Sequence, residues 1–284
     1  MACRAALKAL ETLLEQGAAV QEMITPMLNA LQDKHADVRI AALAALRTLL
    51  EQGVEVQEMI PPILNVLQDR HADVRKAVLE ALGTLLEQGA EVQGMLPPIL
   101  NALQDRHADV RESALVALRT LLEKGAGVQE MLPPILNALQ DRYADVRKAA
   151  LAALQTLLEQ GTGVQGMIPP VLNALQDRYS DVRESALATL RTLLERGAAV
   201  QEILPPTLNA LQHGNADVRR VALAALRTLL EHGAEVQGML PSILNALQDS
   251  HADVCIAALE ALPPLLGHGA LSMGGNISCT AAPC

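Results

Sequence analysis

Seven aspartates, Asp37, Asp73, Asp109, Asp145, Asp181, Asp217 and Asp253, stand 36 residues apart without a single slip. A period of that length restricts the fold more than any composition does. Each period is one supersecondary unit that buries its apolar surface only by stacking on copies of itself. The register divides the chain into a half repeat at 1–17, seven 36-residue units over 18–269, and a tail at 270–284 that matches none of them.

In the unit 54–89, Val56, Met59, Ile60, Ile63, Leu64 and Leu67 follow the i, i+3, i+4, i+7 spacing of an amphipathic helix, helix A. A second series, Val74, Ala77, Val78, Ala81, Leu82, Leu85 and Leu86, predicts helix B. Asp73 stands where an N-cap belongs and Gly89 where the left-handed residue after a helix belongs, and the same assignment extends to all seven aspartates. Glu112 and Glu184, three residues after Asp109 and Asp181, complete a capping-box pattern. The Pro61-Pro62 pair predicts an A helix that is kinked or starts late. The expected fold is therefore an all-α solenoid of stacked helix pairs.

The proline in helix A, the aspartate turn and the "VR" that opens helix B, followed by Ala and Leu, resemble the HEAT repeat over residues 18–269. The resemblance implies a right-handed α-solenoid of antiparallel helix pairs, with B helices on the concave face. It also implies an Asp–Arg ladder between neighbouring repeats. Its acids would be Asp33, Asp69, Asp105, Asp141, Asp177 and Asp249, and its bases Arg39, Arg75, Arg111, Arg147, Arg183 and Arg219. His213 replaces one acid, and Cys3 and Cys255 replace bases, so those joints should be weaker. Some HEAT-like enzymes bind iron through His-Glu pairs; this chain has no such dipeptide.

The totals narrow the functional classes. A net charge of −10 argues against nucleic acid, which calls for clustered Lys and Arg. No apolar run reaches the ~18 residues needed to cross a bilayer, and the first residues lack a signal-peptide core. The four cysteines, Cys3, Cys255, Cys279 and Cys284, have no CxxC spacing and fit a reducing, cytoplasmic setting. His35, His71, His107 and His251 share one slot of the repeat, filled elsewhere by Tyr143, Tyr179 and Asn215. Zinc needs three or four ligands at about 2.0–2.3 Å, whereas equivalent residues on stacked helices lie about 8–10 Å apart. With no P-loop, no GxSxG and no Ser or Cys beside a His and an Asp, the reading is of a non-enzyme without a cofactor.

What varies between otherwise similar repeats is the side of helix B opposite its apolar stripe. Lys76, Glu80, Glu112, Arg119, Lys148, Gln155, Glu184, Arg191, Arg220 and Arg227 lie there, and His71, His107, Tyr143 and Tyr179 fill the turn slot. These are the candidate partner-binding residues. The first of the helix positions alternates in sign, Lys76, Glu112, Lys148, Glu184, Arg220, which a surface salt-bridge ladder or duplication of two-repeat blocks would also produce.

The expected function is a scaffold or adaptor that binds a protein or peptide along the B-helix face. The alternatives are a repeat array within a larger receptor-like or regulatory protein and, last, a lyase or metal-dependent hydroxylase on the same scaffold. Leu7, Leu10 and Leu14 of the half repeat have no A helix to cover them, which suggests a longer array or self-association through that helix.

Overall fold

The apolar series of the sequence become helices that recur at the predicted period. The computed structural model describes residues 20–51, 59–89, 94–125, 128–161, 163, 166–234 and 236–263. The half repeat, the tail, and Cys3, Cys279 and Cys284 lie outside the described residues.

Two compact units divide the chain, Met1–Gly163 and Val164–Cys284. In the first, α1 (Val20–Ala30), α3 (Ile60–Asn65, continued by a 3-10 turn at Val66–Gln68), α5 (Leu96–Ala102) and α7 (Val128–Ala138) are A helices. They alternate with B helices α2 (Ala36–Glu51), α4 (Ala72–Glu87), α6 (Ala108–Glu123) and α8 (Ala144–Glu159). In the second, A helices α9 (Ile168–Ala174), α11 (Val200–Ala210) and α13 (Val236–Ala246) alternate with B helices α10 (Ser180–Glu195), α12 (Ala216–Glu231) and α14 (Ala252–Glu260). No strand occurs among the described residues.

Packing follows the apolar stripes. In the first unit α2 lies on α4, α4 on α6 and α6 on α8, while in the second α10 lies on α12 and α12 on α14. Each unit is an all-α solenoid of helices packed in succession. Val74, Val78, Leu82 and Leu85 of α4, and their counterparts Val110, Ala114, Leu118 and Leu121 of α6, are inaccessible to solvent. Each buried Val or Leu stabilises the fold by about 1.5–3 kcal/mol. Five buried threonines, Thr84, Thr120, Thr156, Thr192 and Thr228, donate their hydroxyls to the carbonyl four residues back, so none is an unpaired polar group in the core.

The proline pair permits both forms of helix A. In α3, α5 and α9 the helix begins one residue before the prolines, which then need no amide partner. In α7 and α11 it runs 11 residues with both prolines inside. The residue four positions before the second proline separates several cases. Gly94 and Gly166 take φ of +86° and +78°, a left-handed turn that a side chain resists, and the helix starts after them. Glu130 and Glu202 instead join the first turn. Gly238 is helical within α13, and nothing in the structure explains that exception.

Helix B ends as expected and begins differently. At the end of α10, Gly197 has φ +87° and donates to the Leu194 carbonyl at 3.0 Å, while the Ala198 N–H donates to the Leu193 carbonyl at 2.9 Å. Those two bonds are a Schellman closure. At the start, the cap is not the aspartate. His71, His107, Tyr143, Tyr179, Asn215 and His251 hold the N-cap position, and the His35 carbonyl accepts the first bond of α2. Asp37, Asp73, Asp109, Asp145, Asp181, Asp217 and Asp253 are each the second residue of their helix, so Glu112 and Glu184 close no capping box.

The reason is the acid at the end of helix A. Asp69 accepts the His71 N–H at 2.8 Å, turning the chain so that the His71 carbonyl receives the first helical bond from Arg75 at 3.2 Å. Asp105 and Asp249 do the same for His107 and His251, and Asp141 and Asp177 for Tyr143 and Tyr179. The second-position aspartate is left in the first turn, where negative charge favours the helix dipole.

Candidate partner-binding face

The joints between helix pairs hold the face in place. Arg75 donates Nη1 to its own elbow, the Asp69 carbonyl at 2.6 Å. Its Nε and Nη2 grip Asp105 of the next repeat at 2.6 and 2.8 Å. Arg111 grips Asp141 at 2.6 and 2.8 Å, and Arg219 grips Asp249 at 2.7 and 2.9 Å. Arg39 Nε lies 2.7 Å from Asp69 without hydrogen-bond alignment, and its Nη2 reaches the other oxygen at 3.1 Å.

Burial pushes the Asp69, Asp105 and Asp141 carboxyls up, but the elbow N–H and the paired guanidinium together outweigh it and hold all three below the usual range. For Asp249 the Arg219 hydrogen bond is the dominant cause and the lowering is larger. Arg147 and Asp177 are both engaged. Asp33 turns to its own elbow, accepting from the His35 N–H at 2.8 Å and meeting the ring at 3.0 Å.

The substituted joints behave in two ways. Arg183 keeps the elbow bond, Nη1 to the Asp177 carbonyl at 2.7 Å, but position 213 offers no carboxylate. Its Nη2 meets Asp217 instead at 3.2 Å, and its buried Nε has no hydrogen-bond partner. Cys255 sends its thiol to the Asp249 carbonyl at 3.2 Å, keeping the elbow contact that an arginine would make.

On the B helices of the first unit the candidate residues converge only in part. Lys76, Glu80 and Glu112 line a groove of about 380 Å³ together with Arg47, Gly83 and Val116. Gly83 lowers its floor, and Val116 is 45% exposed. One neighbouring-helix ion pair crosses it, Arg47 to Glu80 at 3.4 Å. Arg119 instead pairs along its own helix with Glu123 at 3.6 Å, and Gln155 bonds Glu159 at 3.3 Å. In the second unit Arg227 meets Glu231 at 3.2 Å, Arg191 is exposed, and Glu184 and Arg220 approach at 4.0 Å.

The alternating charges therefore do not close into a ladder in the first unit. Among the described residues neither Lys76 nor Lys148 has a carboxylate within 4.0 Å. Glu112 stands in their field: burial, then Asp145, push its carboxyl up, while Lys76 pulls it down.

The turn slot belongs to the same surface. His107 and Tyr143 line an open depression of about 560 Å³ at the starts of α4, α6 and α8, and Lys76 and Glu112 reach it from the helices. Arg142 stacks on the Tyr143 ring at 4.7 Å and Arg178 on Tyr179 at 4.7 Å. In the histidine slots the neighbouring arginine bonds the ring nitrogen instead, His71 Nε2 accepting from Arg70 and His107 Nε2 from Arg106, each at 3.0 Å. Sequence reasoning missed Arg47, although Gly83 and Arg119 at the equivalent repeat position were the available signal. Among the described residues no three His, Cys, Asp or Glu side chains converge as metal ligands, and no helix is long and apolar enough to cross a membrane.

The sequence matches the model of HEAT repeats over residues 24–119 and again over 96–191, together more than half of the 284 residues. No curated protein matches it. Among solved structures, one on Kap95p binding and the switch loops of RanGDP gives a TM-score of 0.74 at 19% identity, covering 93% of this chain and 38% of that one. Importin beta in an ammonium sulfate condition gives 0.73 at 16% identity, covering 93% and 38%. An engineered protein gives 0.54 at 15% identity, covering 95% and 72%. At these identities the likeness is one of fold, and this chain spans 38% of the length of the first two.

Proposed function

The chain belongs to the HEAT-repeat family, and from that premise we propose that it is a non-enzymatic scaffold binding a protein partner along its B-helix face. The observation that carries this reading is the groove in the first unit. Residues that differ between repeats, Lys76, Glu80, Gly83, Glu112 and Val116, gather there on helices whose buried sides are nearly invariant. Lys76 closes no ion pair within 4.0 Å among the described residues, and Val116 exposes apolar surface beside it. A charge held without an internal partner is available to steer and orient an incoming protein. Kap95p, similar in fold, binds RanGDP, which supports a protein as the class of ligand.

The test compares capture of partners by the wild-type chain and by a variant carrying Lys76→Glu, Lys148→Glu and Arg220→Glu. Partners retained by the first and lost by the second, with unchanged circular dichroism, support the B-helix face. Equal recovery by both would sink it.

A further inference from the structure

The elbow at 213–215 departs from its siblings at three positions together. Where others read Asp69-Arg70-His71, Asp105-Arg106-His107 or Asp141-Arg142-Tyr143, this one reads His213-Gly214-Asn215. The elbow itself is repaired. His213 Nδ1 accepts the Asn215 N–H at 3.1 Å, in the role of the lost carboxylate, and Asn215 caps α12 through the Asp217 N–H at 2.8 Å. The arginine facing it is not repaired. The Arg183 side chain is 2% exposed, its Nε has no hydrogen-bond partner, and Nη2 has only Asp217 at 3.2 Å.

We propose that the Nε/Nη2 edge of Arg183 is a binding site for a carboxylate carried by a protein partner, an acidic side chain supplied from outside in place of the missing ladder acid. The regular joints show what fills such an edge: Arg75, Arg111 and Arg219 each bind both oxygens of one carboxylate through these two nitrogens. The Asp177 carbonyl holds Arg183 by the same Nη1 anchor, so its fork is already oriented. Planar bidentate recognition of this kind is what a guanidinium does best. His213 cannot fill the gap with Nδ1, which the elbow already uses.

Gly214 stands where four of the elbows carry a long arginine (Arg70, Arg106, Arg142 and Arg178), and a Cβ placed there meets nothing within 4 Å, so the turn beside the site is uncrowded. Asp217, the one competitor, is 57% exposed and held by a single contact, so an incoming carboxylate displaces it at little cost. A partner that reaches the site completes a joint which the chain's own residues leave half made. The inference rests on the scaffold reading for its source of carboxylate, but not on the B-helix groove.

The probe is a blocked aspartate, N-acetyl-aspartate amide, titrated into the full chain at constant ionic strength, with thermal unfolding as the readout. The wild-type midpoint rises and saturates, by about 2–4 °C. The rise disappears in His213→Asp, where the site supplies its own acid. In Asp217→Asn, which removes the competitor, half-saturation moves to about threefold lower ligand. An equal rise in wild type and His213→Asp overturns the proposal, as does no rise in either wild type or Asp217→Asn. Inorganic phosphate acting as strongly as the blocked aspartate overturns the carboxylate assignment. No partner is needed for this measurement, so its outcome is independent of the charge-reversal test on the groove.

Discussion

The joint of Arg111 with Asp141 in the first unit and the joint of Arg183 with Asp217 in the second begin from the same arginine, held at 2.7 Å by the carbonyl six residues back. From there they part. Arg111 meets both oxygens of an acid that is itself fixed by its elbow N–H, on a side chain 12% exposed. Arg183 meets one oxygen of an acid on the far side of the elbow, 57% exposed and not tied to the turn. The comparison teaches that the acid at the end of helix A does two jobs with one carboxylate. Losing it can be mended locally by His213 and Asn215, but not between repeats.

The largest test is acid. The folded-state carboxyls of Asp69, Asp105, Asp141 and Asp249 titrate below the unfolded value of about 3.9. Their stabilisation is therefore complete above about pH 4 and is lost as pH falls through the lowered folded values. Urea midpoints measured from pH 6 to 2 should drop mainly below pH 4. An Asp105→Asn variant should show a shallower drop. Breaking one regular joint comes next. Asp141→Ala leaves the guanidinium of Arg111 without its acid and should cost about 3 kcal/mol. Asp217→Ala should cost under about 1 kcal/mol. Equal losses would mean that the two joints do not differ in strength.

Converting the irregular joint into a regular one, His213→Asp, should stabilise the chain by about 1–2 kcal/mol through the new bidentate pair. It should also steepen the acid transition. The smallest contrast lies in the caps. Asn215→Ala removes a side chain that binds the helix and should cost about 1 kcal/mol, while His107→Ala, whose ring makes no cap bond, should cost a few tenths. Both are read from denaturation midpoints.

Much of this was legible because burial writes a period into a sequence. The stripe of Val74, Val78, Leu82 and Leu85 could only be one side of a helix, and 36-residue spacing could only be stacking. The cap was misread because Asp69 and Asp73 both lie within reach of the same turn. Which one captures an N–H depends on how the chain bends at His71, and that is not a matter of composition. The start of helix A was legible in part, in the glycines at 94 and 166, and not at Gly238. On the candidate face, Lys76 and Glu112, picked out by their repeat position, line one groove. Whether their charges were used up between helices was a question of ångströms. The turn of Arg183 toward Asp217 had no sequence signal of its own, since the same 34-residue spacing recurs at Arg75 and Asp109 and at Arg111 and Asp145; only the loss of the acid at 213 sets this pair apart.

Each regular arginine ties its own elbow and the next repeat with one planar group, so neither tie survives well without the other. A chain pulled from its ends should therefore give way in linked steps, with the loss of one repeat loosening the grip on the next. At Arg183 the linkage is thin. Under load, unravelling that starts on one side of residue 213 should pause there, making this elbow a firebreak within the second unit.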